Sequence, residues 1–156
     1  MNEAPTAIPC GAPTTAEVLV MDEETGPGRS ERAAVARYFA AINARDVAAI
    51  VADLADDAVW SWPGSGEVIR GRPAIETVVA RTPALPKVAV HRIVGGPDVV
   101  GAVWTGDYGD GVPWRNISLF EFRAGRIVGK TDSFGSAFEP PAWRRELVSL
   151  EPLPRP

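Results

Sequence analysis

Between Trp114 and Phe138 the chain reads WRNISLFEFRAGRIVGKTDSFGSAF, and no other stretch restricts its fold as tightly. Apolar and polar residues alternate over Trp114–Arg123 and again over Arg126–Phe134, the period of two expected of a half-buried strand. Ala124-Gly125 separates the two runs, and glycine there supplies the positive φ that a tight hairpin turn needs. The stretch therefore predicts an antiparallel hairpin, and a hairpin with one apolar face must sit in a larger sheet. Asp132 falls late on the second strand among small and apolar residues, where a carboxylate needs either a partner or a purpose.

Upstream of the hairpin the periodicity is helical. Ser30 is a candidate N-cap, and Val35, Tyr38, Phe39 and Ile42 recur at helical spacing before the pattern ends near Asn43. Asp46 can cap a second helix with Val47, Ile50, Val51 and Leu54 on one face, leaving Asp53, Asp56 and Asp57 on the polar side or in the exit turn. Ala58–Trp62 reads as a short strand, broken by Pro63-Gly64-Ser65-Gly66 before Val68-Ile69. Pro73 suits the first turn of a third helix carrying Ile75, Val78 and Val79, which Pro83 and Pro86 end. Strands follow at Val88–Val94 and Val99–Tyr108, with glycine-rich turns at 95–98 and 109–111. Helices first and a meander after predict an α+β domain, with three N-terminal helices packed on a strongly curved antiparallel sheet. Residues 1–29, rich in Pro, Ala, Thr and Gly, read as a disordered arm in which only Val18–Met21 is apolar. The domain is placed at 30–150, with a short helix over Ala142–Leu150, and a Pro-rich tail at 151–156.

Composition narrows the function classes. A chain of 156 residues suits one domain, and 46% hydrophobic with 23% charged residues and a net charge of −4 argue against nucleic acid as a partner. Cys10 is the single cysteine and His91 the single histidine, so neither a disulfide framework nor a multi-histidine metal site is available. Nothing in the sequence has the length of a membrane span or the order of a signal peptide, so a cytoplasmic protein with no membrane partner is expected.

The helix pair, the GRPAI turn at Gly71–Ile75 and the run NISLFEFRAGRIVGKTDSFGSAFEPPAW resemble the nuclear-transport-factor-2-like superfamily, in its SnoaL-like branch, over residues 30 to 148. The resemblance implies a cone-shaped fold around a deep pocket, commonly a homodimer through the outer sheet face. It also implies a mixed range of activities, among them polyketide cyclases, ketosteroid isomerases, limonene-epoxide-hydrolase-like enzymes and proteins that only bind. In the cyclase branch an aspartate on the last strands is the acid/base group, and Asp132 matches it. In the epoxide-hydrolase branch an Arg-x-Asp on a preceding strand works with that aspartate; here Thr105-Gly106-Asp107 stands in its place, and the arginine is missing unless Arg115 or another reaches in. Asp132 and Asp107 are the candidate catalytic residues. The expected activity is cofactor-independent cyclisation or isomerisation of an apolar, carbonyl-containing intermediate. Epoxide opening by Asp107 and Asp132, or binding without catalysis, are the alternatives.

Alternation places Thr105 and Asp107 on one face of their strand and Val128, Lys130, Asp132 and Phe134 on one face of theirs. A carboxylate in an apolar pocket beside a second one would have its proton affinity raised, which suits general acid/base work. The competing reading has Asp132 paired with Lys130, Arg115 or Arg126 on the outer face, and Asp107 serving the turn that follows it. Tyr38, Trp60, Trp62, Trp104, Trp114 and Phe134 are candidates for lining a pocket that takes a flat polycyclic or long apolar substrate, or for ordinary core. Asn116, with Ser118 on the same face, offers a hydrogen bond to a substrate carbonyl, and His91 is either a second polar pocket residue or a structural one.

Overall fold

The computed structural model describes residues 26–136 and 138–151. Most of the arm read at 1–29, with Cys10 and Val18–Met21, lies outside the described residues, as do residues 152–156 of the tail. Helix α1 spans Arg29–Ala44 and α2 Val47–Val51; strands β1 (Leu54–Trp62) and β2 (Glu67–Arg70) precede α3 (Arg72–Arg81). Strands β3 (Lys87–Gly95), β4 (Val99–Asp107), β5 (Pro113–Arg123) and β6 (Arg126–Gly135) follow, then a 3₁₀ turn at Ala142–Leu147. The order of helices and strands is the α+β arrangement the periodicities predict.

The six strands form one sheet in the order β2-β1-β6-β5-β4-β3. It is mixed rather than purely antiparallel, because β6, closing the meander β3–β6, returns beside β1 in the same direction. That parallel pairing joins residues about seventy apart in sequence, such as Trp60 and Lys130, a contact no local pattern announces. Register shifts in β1, in the β3–β4 pair and in the β5–β6 pair mark bulges that bend the sheet.

Side chains pointing to the helical side alternate with those pointing away. On β4 and β5 the inward row is Val100, Ala102 and Trp104 against Phe120, Ser118 and Asn116, all buried. The bulge at Val128 restores Ile127 to the inner face, so Val128 is not the face-mate of Lys130 that strict alternation predicts. Helix α1 lies across β3 and β4 and sets Tyr38 and Phe39 edge-on to Phe120, with ring centroids 5.3 and 6.1 Å away.

Local chemistry fixes the ends of the elements. Gly28, not Ser30, precedes α1, in a left-handed conformation. Asp46 caps α2 as expected, its carboxylate accepting from the Ala49 amide. Helix α2 is nevertheless short and Leu54 opens β1, because Arg126 and the Ile127 amide take the carbonyls of Ala52 and Asp53 that a longer helix would use. The hairpin turn has positive φ at both Ala124 and Gly125, as a type I′ turn requires. Asn43, in the last turn of α1, clamps β3: its amide donates to the Val88 carbonyl at 2.9 Å and accepts from the Val88 amide at 2.8 Å. Replacing Asn43 with Leu leaves both backbone groups without these bonds, and denaturant unfolding is expected to show a loss of about 1–3 kcal/mol; an unchanged midpoint would show that the clamp does not hold α1 on the sheet.

Candidate active site

A cavity of about 240 Å³ opens between the helices and the inner sheet face, walled by Tyr38, Phe39, Trp60, Trp62, Trp104 and Phe134, with aliphatic residues from α3 and the segment after it. Its polar groups include Lys130 and Asp132. They are separated by one residue on β6, share one face by strand alternation, and are only 4% and 3% exposed.

The Asp132 carboxylate accepts from three donors. Lys130 Nζ lies 2.5 Å from Oδ2, the Trp62 indole N–H donates to the same oxygen at 3.0 Å, and the Ser118 hydroxyl donates to Oδ1 at 2.6 Å. The direction of the last bond is fixed chemically. The Trp104 indole can only donate and does so to Ser118 Oγ at 2.9 Å, leaving the serine proton for Asp132. A carboxylate has about four acceptor positions, and these donors fill three of them. The ammonium of Lys130 is boxed by aromatic rings: Trp60, Tyr38 and Phe120 centroids lie 4.4, 5.0 and 5.7 Å away. Burial pulls its pKa down, but the Asp132 carboxylate and the Tyr38 hydroxyl outweigh burial, and the net shift is upward. Burial likewise raises Tyr38, against the opposing pull of Lys130, and pushes Tyr108 at the cavity rim up to about 12, with Asp132 adding to it.

The structure brings together Asp132, Tyr38, Trp60, Trp62, Trp104 and Phe134 of the sequence candidates. Trp114 lines a neighbouring hollow with Tyr108 and Phe134, and Asn116 is buried in the sheet between Trp104 and Phe134. Two candidates lie elsewhere. Asp107 shares its strand face with Thr105, opposite to Trp104, and its carboxylate accepts from the Gly109 and Gly111 amides at 2.8 and 3.2 Å, so it builds the turn rather than the cavity. His91 occupies the β3 bulge and bonds Thr105 Oγ1 at 2.5 Å. Burial first, and then Arg115, lower its pKa, and Arg115 itself is exposed beside Thr105 rather than reaching in. The cation beside Asp132 is Lys130, in the interior rather than on the outer face, and no arginine reaches the carboxylate among the described residues. The signal for Lys130 was its shared parity with Asp132, which reads equally well as an outer-face ion pair; Ser118 and Tyr108 were legible only as a possible hydrogen-bonding face and a strand end.

The model of the SnoaL-like domain matches residues 35–130. The chain belongs to the SnoaL-like family. No curated protein matches it. Among solved structures it is similar to a nuclear-transport-factor-2-like protein of unknown function from Burkholderia xenovorans LB400, at 31% identity over 79% of this chain and 96% of that one, with a TM-score of 0.70. A candidate ketosteroid isomerase from Kribbella flavida is 26% identical over 80% of this chain and 91% of its own, with a TM-score of 0.73. An epoxide hydrolase of the limonene-epoxide-hydrolase-like type from Mycobacterium tuberculosis is 27% identical over 67% and 82%, with a TM-score of 0.60. Among the described residues no cluster of His, Cys, Asp and Glu is arranged to hold a metal, and no helix is long and apolar enough to cross a membrane.

Two outcomes are expected from the charges of this SnoaL-like cavity. The chain has two tyrosines, Tyr38 and Tyr108, both lining the cavity and both raised. The native state holds their protons to higher pH than the unfolded chain, so the stability they contribute is complete below pH 10 and lost as pH climbs towards 12. Phenolate absorbance should therefore stay flat through pH 10 in the folded protein, and a normal titration there would contradict the site. Lys130→Met strands a buried carboxylate and should lower stability by roughly 3–5 kcal/mol, with Lys130→Met/Asp132→Leu recovering most of it.

Proposed function

We propose that the protein is an acid/base enzyme that isomerises or cyclises a compact apolar ketone by taking a proton from the carbon next to the carbonyl, with Asp132 as the base. The observation that carries this reading is the Asp132–Lys130 pair opening onto an otherwise aromatic cavity. Before reaction the pair is neutral overall. When Asp132 accepts the proton, the substrate C–H breaks, a carboxyl O–H forms, and the electron pair moves onto the carbonyl oxygen as an enolate. The negative charge has then moved from Asp132 to the substrate while the ammonium of Lys130 stays nearby, so charge is relocated rather than created in a medium of low dielectric. Return of the proton to a different carbon gives isomerisation. Attack of the enolate carbon on a second carbonyl, whose oxygen then takes the proton, gives ring closure.

Size narrows the substrate. At about 240 Å³ the cavity is below the roughly 300–1,000 Å³ common for ligand pockets, which favours one or two rings inside it over a fused tetracycle. Epoxide opening by two carboxylates has less support, since Asp107 is spent on its turn and Asp132 is the one carboxylate among the residues that line the cavity. Ile117 and Leu119, 55% and 43% exposed on the outer face of β5, favour a homodimer through that face.

The test of the base is hydrogen exchange. Incubated in D₂O with 1-indanone or 2-tetralone, the protein should accelerate incorporation of deuterium next to the carbonyl, read by NMR. Asp132→Asn, assayed where circular dichroism shows it still folded, should reduce that acceleration by about 10²–10⁴. Equal exchange by wild type and variant would remove Asp132 from the reaction; no acceleration by either would favour a binding module.

A further inference from the structure

A second hollow of about 310 Å³ adjoins the first, lined by Tyr108, Asp110, Trp114 and Phe134. Tyr108 and Phe134 belong to both walls. Tyr108 and Trp114 meet edge to face at 5.9 Å, forming an aromatic surface at its outer end. Phe134 is the partition. It is 43% exposed and meets Trp62 and Trp104 edge-on, with ring centroids 6.4 and 6.5 Å away, so little packing holds it in place.

Beside that partition lies a polar group with nothing to bind. Asn116 pairs in register with Trp104 on one side and Phe134 on the other and is 0% exposed. Its Oδ1 accepts from the Gly135 amide at 3.3 Å, and since a backbone N–H can only donate, this bond fixes which end of the side chain is the NH₂. That NH₂ has no hydrogen-bond partner among the described residues. It lies on the side of Gly106, where an added Cβ would come within 3.4 Å of it, and Gly106 pairs with Trp114 of the outer hollow. A buried donor without an acceptor is uncommon in a finished structure; Asn116 lines neither cavity while Phe134, its register partner, stays in place, so a ligand oxygen reaches the amide only with that ring displaced.

We infer that the two cavities form one binding site for a two-lobed ketone: an inner ring in the aromatic cavity, the carbonyl oxygen on the Asn116 NH₂, and an outer ring against Trp114 and Tyr108, with Phe134 turned aside. The inference rests on the inner cavity being the substrate site and adds the substrate's shape and the position of its oxygen. Asn116 is one same-face step along the sheet from Ser118, the register partner of Asp132, so an oxygen on Asn116 leaves the neighbouring carbon facing the carboxylate.

Equilibrium binding tests this without turnover. Benzophenone has the two rings and the central oxygen; diphenylmethane keeps the shape and lacks the oxygen; acetophenone keeps the oxygen and lacks the outer ring. Tryptophan fluorescence titration should show benzophenone binding at least fivefold more tightly than either control. Asn116→Leu should abolish its advantage over diphenylmethane, and Trp114→Ala its advantage over acetophenone, while acetophenone binding to Trp114→Ala is unchanged. Should Asn116→Leu fail to fold, the half-exposed Trp114 position still decides the outer ring, and the wild-type comparison with diphenylmethane decides the oxygen. Equal affinity for the three compounds, no binding of any, or variants that keep both advantages would overturn the inference. The catalytic reading is judged by deuterium exchange and this one by the equilibrium affinities of the wild-type protein, so a failure of each gives a different result.

Discussion

Asp132 and Lys130 place an anion and a cation almost wholly out of water on one strand. Removing such charges from solvent costs several kcal/mol each, and attraction offsets that only when geometry is close and the remaining hydrogen-bonding positions are filled. The surroundings answer to this constraint. Strand β1 brings Trp60 over the ammonium and the Trp62 N–H to the carboxylate; β5 brings Ser118 and Phe120; α1 brings Tyr38; and Trp104 on β4 orients the serine. A slip of one residue between any two of these strands would turn the participating side chains to the other face. The ion pair and the register of the sheet therefore specify one another.

The arrangement has chemical consequences beyond stability. Because the surrounding contacts to Asp132 are donors, the carboxylate is presented as an acceptor, and the ammonium beside it is held by that anion and by the rings of Trp60, Tyr38 and Phe120. Aromatic walls keep the local dielectric low, so the field of Lys130 acts on whatever bears negative charge in the cavity with little screening. The sheet's two faces divide the labour. The inner one holds the charged pair, whereas the outer one carries Ile117, Leu119, Thr105 and the bulged His91.

Much of the fold was legible locally. The hairpin at Ala124-Gly125, the Asp46 cap, the amphipathic face of α1 and the proline that opens α3 each rest on residues within a turn or two of one another, where propensity and periodicity act. Elements governed by distant partners were not. Helix α2 stops early because β6 claims its last carbonyls, and the sheet is mixed because β6 returns beside β1. Asp107 illustrates the same divide within the site. Its parity with Thr105 was readable, but which face of β4 looks inward depends on where α1 and the neighbouring strands settle.

By itself the sequence determined the class of fold, the strands that carry Asp132 and its neighbours, and the family resemblance, since these follow from short-range pattern and motif. Tertiary structure alone decided that Lys130 is an interior cation, that Trp62 and Ser118 hold the carboxylate, that Asp107 and His91 lie outside the cavity, and that the Asn116 amide is left without a partner. Each of those depends on which groups from separate strands come within about 3 Å of each other, and one-dimensional order does not encode that distance until parallel pairing and bulges have set the register.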